Sequence, residues 1–320
     1  MYNNNEHNKH LVSIVCDVFN HEDYLRDCLE GLVKQRTNFD YIILIHDDAS
    51  TDSSPKIINE YVNKYPHLFM PLFQKENQHS KGIGIWKTYQ FPRIHTKYVA
   101  FCEGDDYWTD SMKLQKEVDF LESHPECTAV YGNIIVRDET LTPIQEKRSS
   151  EPARYVSKEE VLGGMLFPIG SVCVRHIVID NWSDSIQANG DMLLSYISTS
   201  IGKAYIMDDC MSVYRRTGKG ISTSRDHVKQ LIAELKEWYL FHKQLCFPVP
   251  YTLILFQSKS IARFISKEGL KKFPIKKIIK YIRTSYLPLY IYYMSTLLYK
   301  HIKNTLKLKF QTVRYNGKKN

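Results

Sequence analysis

Glu103, Asp105 and Asp106 place three carboxylates within four residues, separated by Gly104 and followed by Tyr107 and Trp108. Such groups repel one another unless a cation or hydrogen bonds compensate. Hard carboxylate oxygens of this kind suit a hard divalent cation such as Mg2+ held jointly with substrate phosphates, and the adjacent aromatic pair adds flat surfaces of the sort found in sugar-binding clefts. A second acidic turn, Asp47-Asp48-Ala49-Ser50-Thr51-Asp52, holds more carboxylates than an Asx turn and a helix cap require, since Asp52 or Ser53 can supply the cap. The surplus fits a hydrogen bond to the base or ribose of a nucleotide. Further along, Arg215, Arg216 and Lys219 lie in a glycine-containing segment, Tyr214–Ser222, that could clamp phosphates or form a solvated basic loop.

These groups need a scaffold that brings them to one edge. Tyr98–Cys102 is an apolar run that stops at a Gly-Asp turn, which reads as a buried strand opening into a loop. The carboxylates then sit at a strand's carboxyl end, where open α/β sheets bind ligands. Leu11–Phe19 reads as a central parallel strand, with Asn20 as N-cap of a helix that runs to Val33. Tyr41–His46 and Leu68–Gln74 read as strands, and Pro55–Tyr65 as a helix with Pro55 at its first position. After a polar loop, Glu76–Gly84, come a helical stretch at Trp86–Tyr89 and a helix over Ser111–His124. This alternation predicts an α/β fold with a doubly wound, mainly parallel sheet, because parallel strands require crossovers.

The second half is less regular. Strands are expected at Thr128–Arg137, Ser171–Arg175 and Ala204–Met207, and helices at Asp191–Ser200 and Arg225–Leu245. Ser157 and Glu160 have the spacing of a capping box, which predicts a short helix to about Met165. Residues 1–10 read as a disordered polar N-terminus, 11–225 as the α/β domain, and 226–320 as a helical basic extension joined through Phe247-Pro-Val-Pro.

Composition limits the possible classes. Seven cysteines form no CxxC pair and lie mostly in apolar runs, which favours buried thiols in a reducing compartment over a disulfide framework or a zinc site. Met1–His10 has no apolar signal-peptide core, so a cytoplasmic location is expected, at the inner face of a membrane. The net charge is +8, and Lys271–Lys319 is crowded with Lys, Arg and Tyr. Tyr286–Tyr299 holds 14 residues without a charge, short of the roughly 20 that span a bilayer. An interfacial helix making peripheral membrane contact through 270–310, or helices packed back on the domain, both fit, and no nucleic-acid partner is expected.

Taken in order, Val12–Asn20 with His21, Asp47–Asp52, Glu103–Trp108 and Gly190-Asp191 resemble the family 2 glycosyltransferases, which have the GT-A fold, a Rossmann-like sheet, over about residues 10–225. The resemblance implies inverting transfer of a sugar from a nucleotide diphosphate donor, with UDP the carrier it points to, assisted by Mg2+ or Mn2+. The implied acceptor is a glycan or lipid-linked, as in bacterial surface polysaccharide synthesis. Asp17 and Phe19 fall where the family's first strand meets the nucleotide, and Asp48 with Asp47 beside it where the base or ribose is bound. Lys81 lies in a segment that loosely resembles the donor-side loop. Glu103, Gly104 and Asp105 correspond to the family's Asp-x-Asp, which makes Asp105 the leading metal ligand, Glu103 its companion, and Asp106 a neighbour in the same loop.

Asp106, Trp108, Arg215, Arg216 and Lys219 are the expected contacts to the diphosphate or the acceptor, and by the resemblance Asp191 is the general base. The chemistry asks for such a base independently: in a single in-line displacement the acceptor hydroxyl must lose its proton as it attacks the anomeric carbon. Asp191 could equally cap a helix. Two positions depart from the pattern, Asp17 where many members have Pro or Thr and Thr217 where a His is frequent. Two alternatives remain. A sugar nucleotidyltransferase would show a Gly-rich basic loop where this chain has Asp17-Val-Phe-Asn-His21; an inactive membrane-associated scaffold of the same fold would not need carboxylates at all three places.

Overall fold

The structure is a computed structural model, and it describes residues 10–138, 140–145, 152–162, 168–183, 190–217, 227–245, 251–268 and 274–278. In chain order the first half contains β1 (Val12–Val18), α1 (Leu25–Val33), β2 (Tyr41–Asp47), α2 (Ser54–Lys64), β3 (Phe69–Phe73), β4 (Tyr98–Phe101), β5 (Tyr107–Trp108) and α3 (Lys113–Ser123). The second half continues with β6 (Cys127–Asp138), β7 (Pro143–Gln145), β8 (Arg154–Val156), α4 (Lys158–Leu162), β9 (Val172–Arg175), α5 (His176–Asp180), α6 (Gly190–Ile201) and β10 (Lys203–Arg216). The chain forms two compact units, the first ending at residue 218 and holding the sheet.

The sheet order is β3-β2-β1-β4-β9-β6-β10-β5, with β7 on β6 and β8 on β10. β1, β2, β3 and β4 run parallel, as do β6 and β10, while β9 is antiparallel to both of its neighbours. The α/β class is as the alternation predicts, but the sheet is mixed rather than mainly parallel, since β5, β7 and β8 as well as β9 pair antiparallel with their neighbours. β1 is buried throughout except at Asp17, as a β-branched central strand covered on both faces should be. From β1 the chain winds outward through β2 and β3, then returns to place β4 on the other side. That reversal is the topological switch point of an open sheet, and the crevice beyond the carboxyl ends of β1 and β4 is its binding place.

Three local features differ from expectation. Asn20 does not cap α1, which starts at Leu25; Asn20 holds φ at +56° and turns its side chain away, accepting from the Thr51 amide at 2.8 Å. β10 runs for 14 residues, past the Met207 end that the sequence predicts, because the polar stretch after Ile206 forms a bulge rather than a terminus. β5 is a two-residue strand held against Val213 and Ser212 of β10. The Ser157–Glu160 capping box is present in full, with the Ser157 amide 2.9 Å from Glu160 Oε2 and the Glu160 amide 3.2 Å from Ser157 Oγ. Of the six cysteines within the described residues, all are free thiols and five are buried.

The second unit contains α7 (His227–Leu245), α8 (Tyr251–Glu268) and α9 (Ile275–Ile278). Leu231, Leu235, Trp238 and Phe241 recur at helical spacing on the buried side of α7, and Ile254, Ile261, Ala262 and Phe264 on that of α8. Among the described residues no helix is long and apolar enough to cross a membrane. Residues 1–9, the Phe247-Pro-Val-Pro segment, Tyr286–Tyr299 and most of 270–310 lie outside the described residues, so the expectations placed on them are not addressed.

Under the acidic loop, α3 carries a fully buried ion pair: Lys113 Nζ lies 2.7 Å from both Glu117 carboxylate oxygens and 4.3 Å from the centre of the Trp108 ring. Burial pushes the Glu117 carboxyl up to about 7, although the Lys113 ammonium pulls the other way. Removing one partner strands a charge, whereas replacing both with apolar groups is often nearly neutral. Lys113→Met should therefore cost about 3–5 kcal/mol in urea unfolding, and Lys113→Met/Glu117→Leu should recover most of that. A carboxyl with a raised native pKa binds its proton more tightly when folded, so its contribution favours folding at low pH and is lost as pH rises through about 7. Unfolding curves from pH 5 to 8 should show this loss in the wild type and not in the double variant.

Candidate active site

The strand register assembles the first part of the site. Asp17 and Val18 at the end of β1 stand beside His46 and Asp47 at the end of β2. The pairing of β1 with β4 continues past its last ladder residues, since the Cys102 amide donates to Val15 O and the Gly104 amide to Asp17 O, each at 3.0 Å. Asp17, Asp47 and Glu103 thus line one edge. The two loops that follow β1 and β2 are fastened together: the Asn20 amide donates to Ser50 Oγ, the Glu22 amide to Asp52 Oδ2, and the Ser53 amide to Glu22 Oε2, all at 2.9 Å. Asp52 also accepts from the Ser54 amide at 2.9 Å, an Asx-type turn leading into α2, whose N-cap position is Ser53 and carries no side-chain cap bond.

The two adjacent acids behave differently. Asp48 is buried, and its oxygens accept from the amides of Gln78 at 2.8 Å and His79 at 3.0 Å, so it folds the segment that contains Lys81. Asp47 is also buried; its Oδ2 accepts from the Ser50 amide at 3.1 Å, while its Oδ1 has no hydrogen-bond partner. A buried carboxylate oxygen without a donor is costly, and a ligand N–H or hydroxyl would satisfy it. Lys81 is half-exposed and paired with Glu76. Phe19 is 44% exposed at the mouth of the crevice. Asp17 is occupied on both oxygens, by Trp86 Nε1 at 2.8 Å and Gln90 Nε2 at 2.7 Å.

The acidic loop is held at both ends. Gly104 sits where a Cβ would lie 2.8 Å from His21 Nδ1 and 3.0 Å from Val18, so this close approach to β1 needs a glycine. At the far end Asp106 is buried and its Oδ1 accepts from the Arg215 amide at 2.8 Å. Glu103 keeps an exposed surface although protein crowds its carboxylate, and burial of that group, then the carboxylates of Asp105, Asp191, Asp106 and Asp17, push its carboxyl well above the ordinary range. Asp106 is raised well above its ordinary range too, by burial first and then by Asp105, against the opposing pull of Arg215. Asp191 acts on both groups from the first turn of α6, where it is partly exposed.

A hard divalent cation fits this donor set chemically, since it would offset the mutual repulsion of Glu103, Asp105 and Asp106. Among the described residues no three His, Cys, Asp or Glu side chains converge as a complete metal cage. One or two carboxylates completed by substrate phosphates and water is the usual arrangement for Mg2+.

Trp108 and Arg215, expected near the diphosphate or acceptor, are buried instead. Trp108 is 3% exposed, donates its indole N–H to Gly170 O at 2.9 Å, and packs on Lys113, so it is a core residue with no face open to a ligand. The Arg215 side chain is 1% exposed, its Nη2 2.8 Å from Asp27 Oδ2 and its guanidinium between the rings of Tyr24 and Tyr107; it is withdrawn from solvent, while its Nε and Nη1 have no hydrogen-bond partner. Arg216 is exposed, Thr217 is buried, and Lys219 lies outside the described residues. Trp86 and Gln90 were not legible as site residues, because their contact with Asp17 depends on a π-helical turn, Trp86–Gln90, that no residue pattern announces.

The sequence model described as "Glycosyl transferase family 2" matches residues 13–180. An uncharacterized protein of Mycobacterium tuberculosis (strain ATCC 25618 / H37Rv) is 34% identical over 221 residues, which cover 66% of this chain and 60% of the relative's own length. The putative teichuronic acid biosynthesis glycosyltransferase TuaG of Bacillus subtilis is 24% identical over 73% of this chain and 88% of that protein. Among solved structures, S. aureus TarS 1-349 in complex with UDP-GlcNAc matches with a TM-score of 0.59 at 16% identity, over 89% of this chain and 80% of that one. The mannosyltransferase PcManGT from Pyrobaculum calidifontis in complex with GDP-Man and Mn2+ matches with a TM-score of 0.54 at 12% identity, over 92% and 87%. At these identities the structural likenesses show the fold, which is GT-A.

Asp48 should order the Gln78–Lys81 turn through two amide bonds, and Asn can replace only one of those acceptors. Hydrogen exchange in residues 76–82 should accelerate about fivefold in Asp48→Asn, the factor expected for a net hydrogen bond of roughly 1 kcal/mol. Asp47→Asn should leave that segment's exchange unchanged.

Proposed function

Since the chain belongs to glycosyl transferase family 2, we propose that it transfers a sugar from a nucleotide diphosphate to a hydroxyl of a glycan or lipid-linked acceptor in the synthesis of a bacterial surface polysaccharide. The observation that carries this reading is the convergence of three kinds of acid on one edge. Asp47 offers an unpartnered buried oxygen, Glu103, Asp105 and Asp106 form a crowded loop beyond β4, and Asp191 stands close enough to raise the pKa of Glu103 and Asp106.

In this reading Asp47, with Asp48 folding the loop beside it, takes the base or ribose, and Phe19 borders the nucleotide. Asp105, with Glu103, would hold Mg2+ or Mn2+, which would supply positive charge to offset that developing on the leaving diphosphate. Asp191 accepts the proton of the attacking hydroxyl, and a single displacement with one base inverts the anomeric carbon. UDP as carrier is supported by the likeness to TarS bound to UDP-GlcNAc, whereas the GDP-Man complex of PcManGT shows the same fold serving another base. The likeness to TuaG supports a polysaccharide product.

The test is release of nucleoside diphosphate from a panel of UDP- and GDP-sugars, with water as acceptor, with Mn2+ and after chelation. Release from at least one donor is expected, and its loss on chelation is the outcome that the cation assignment requires. Asp105→Ala should abolish the response to Mn2+. Asp191→Asn should bind UDP as the wild type does, by calorimetry, while turnover falls about 10²- to 10⁴-fold. Turnover of Asp191→Asn at the wild-type rate would exclude it as the base, and failure to bind or cleave any nucleotide sugar would favour a scaffold without activity.

A further inference from the structure

Trp86 opens a π-helical turn in which residues 86 and 90 both point at one carboxylate, the indole N–H at Asp17 Oδ2 and the Gln90 amide at Oδ1. Turns of this type recur at functional sites. The same indole presses against the start of α6. A Cβ at Gly190 would lie 2.4 Å from Trp86 Cζ3 and 2.7 Å from Cη2, so the helix that carries Asp191 rests its first α carbon directly on the ring. On another side the ring lies 5.0 Å, centre to centre, from Phe101, the last residue of β4 and two before Glu103. One side chain therefore touches the end of β1, the end of β4 and the beginning of α6. It is partly exposed, so core filling alone does not account for it.

We infer that Trp86 is a positioning residue for the transfer step: clamped to Asp17 by its N–H and wedged against Gly190 by its six-membered ring, it sets where Asp191 stands relative to the acidic loop. This rests on the reading of Asp191 as the base. A general base must lie within hydrogen-bond reach of the proton it takes, and a misplacement of 1 Å can cost about 100-fold in rate. An aromatic ring with only two rotatable bonds is a stiff spacer, and the bond to Asp17 fixes its rotation. The same geometry gives Asp17 its role, which is to orient the indole. That accounts for a carboxylate where the family pattern often has Pro or Thr.

The experiment uses the full chain and two perturbations from opposite sides of the contact. Trp86→Phe removes the N–H and the ring atoms nearest Gly190 without adding any, and Gly190→Ala inserts a methyl group into them. Each is measured for UDP affinity in Mn2+ by calorimetry, for melting temperature, and for kcat and KM with the best-cleaved nucleotide sugar of the panel above. Both variants are expected to bind UDP within about threefold of the wild type, with KM little changed and kcat reduced about 10- to 100-fold. Trp86→Phe/Gly190→Ala should exceed the kcat of Gly190→Ala alone at least threefold, because the smaller ring leaves room for the methyl.

Unchanged kcat in Trp86→Phe, an equal loss of UDP affinity and kcat, or no recovery in the double variant would overturn the inference. If Gly190→Ala does not fold, the split between kcat and UDP affinity in Trp86→Phe decides alone. Asp191→Asn measured alongside separates the two readings: if it is inactive while Trp86→Phe keeps its kcat, only the role of Trp86 fails. If Asp191→Asn turns over normally, the base assignment fails and this inference falls with it.

Discussion

Like charges gathered in a recess stay there only if the backbone holds them more firmly than they repel, and the site is built around that constraint. Burial first, and then the repulsion among Glu103, Asp105, Asp106 and Asp191, moves two of these carboxyls well above their ordinary range. The loop cannot relax outward, because one end continues the β1 ladder through the Gly104 amide and the other is fixed by β5 on β10 and by the Arg215 amide on Asp106. Crowding of this sort stores a preference for positive charge, which a cation or a proton can meet. The sheet supplies the rigid frame, and the ligand would supply the compensation.

The frame itself was largely legible in the residues. Continuous apolar runs such as Val12–Val18 and Tyr41–Asp47 can be buried on both faces only as inner strands, and the acidic residues that end them had to emerge at the switch point. What could not be read were contacts that join distant stretches through side chains. Asn20 looks like a helix cap, yet its oxygen is claimed by Thr51, a partner 31 positions away. Asp208 and Asp209 look like the end of a strand, yet parallel pairing with β6 resumes after a bulge. Trp108 looks like a sugar platform because it follows the acids, but strand alternation turns it inward beside Lys113. Local composition sets the type of an element; which face it turns to the ligand is decided by its neighbours across the sheet.

Arg215 sharpens this point. In sequence it belongs with Arg216 as a phosphate clamp, yet residues on a strand alternate, and Arg215 takes the inward side. Its guanidinium lies 4.9 Å from the Tyr24 ring centre and 5.0 Å from that of Tyr107, and pairs with Asp27 on α1. Desolvated cation–π contacts of this kind are worth about 2 kcal/mol or more, so withdrawing the side chain toward a donor would forfeit two of them and an ion pair. Arg215 therefore fixes the end of β10 to α1, and through its amide fixes Asp106. Within Tyr214–Thr217, Arg216 is the basic side chain left to solvent. Among the described residues of that segment, Thr217 is buried where the family often has a His, and Arg215 is buried as well.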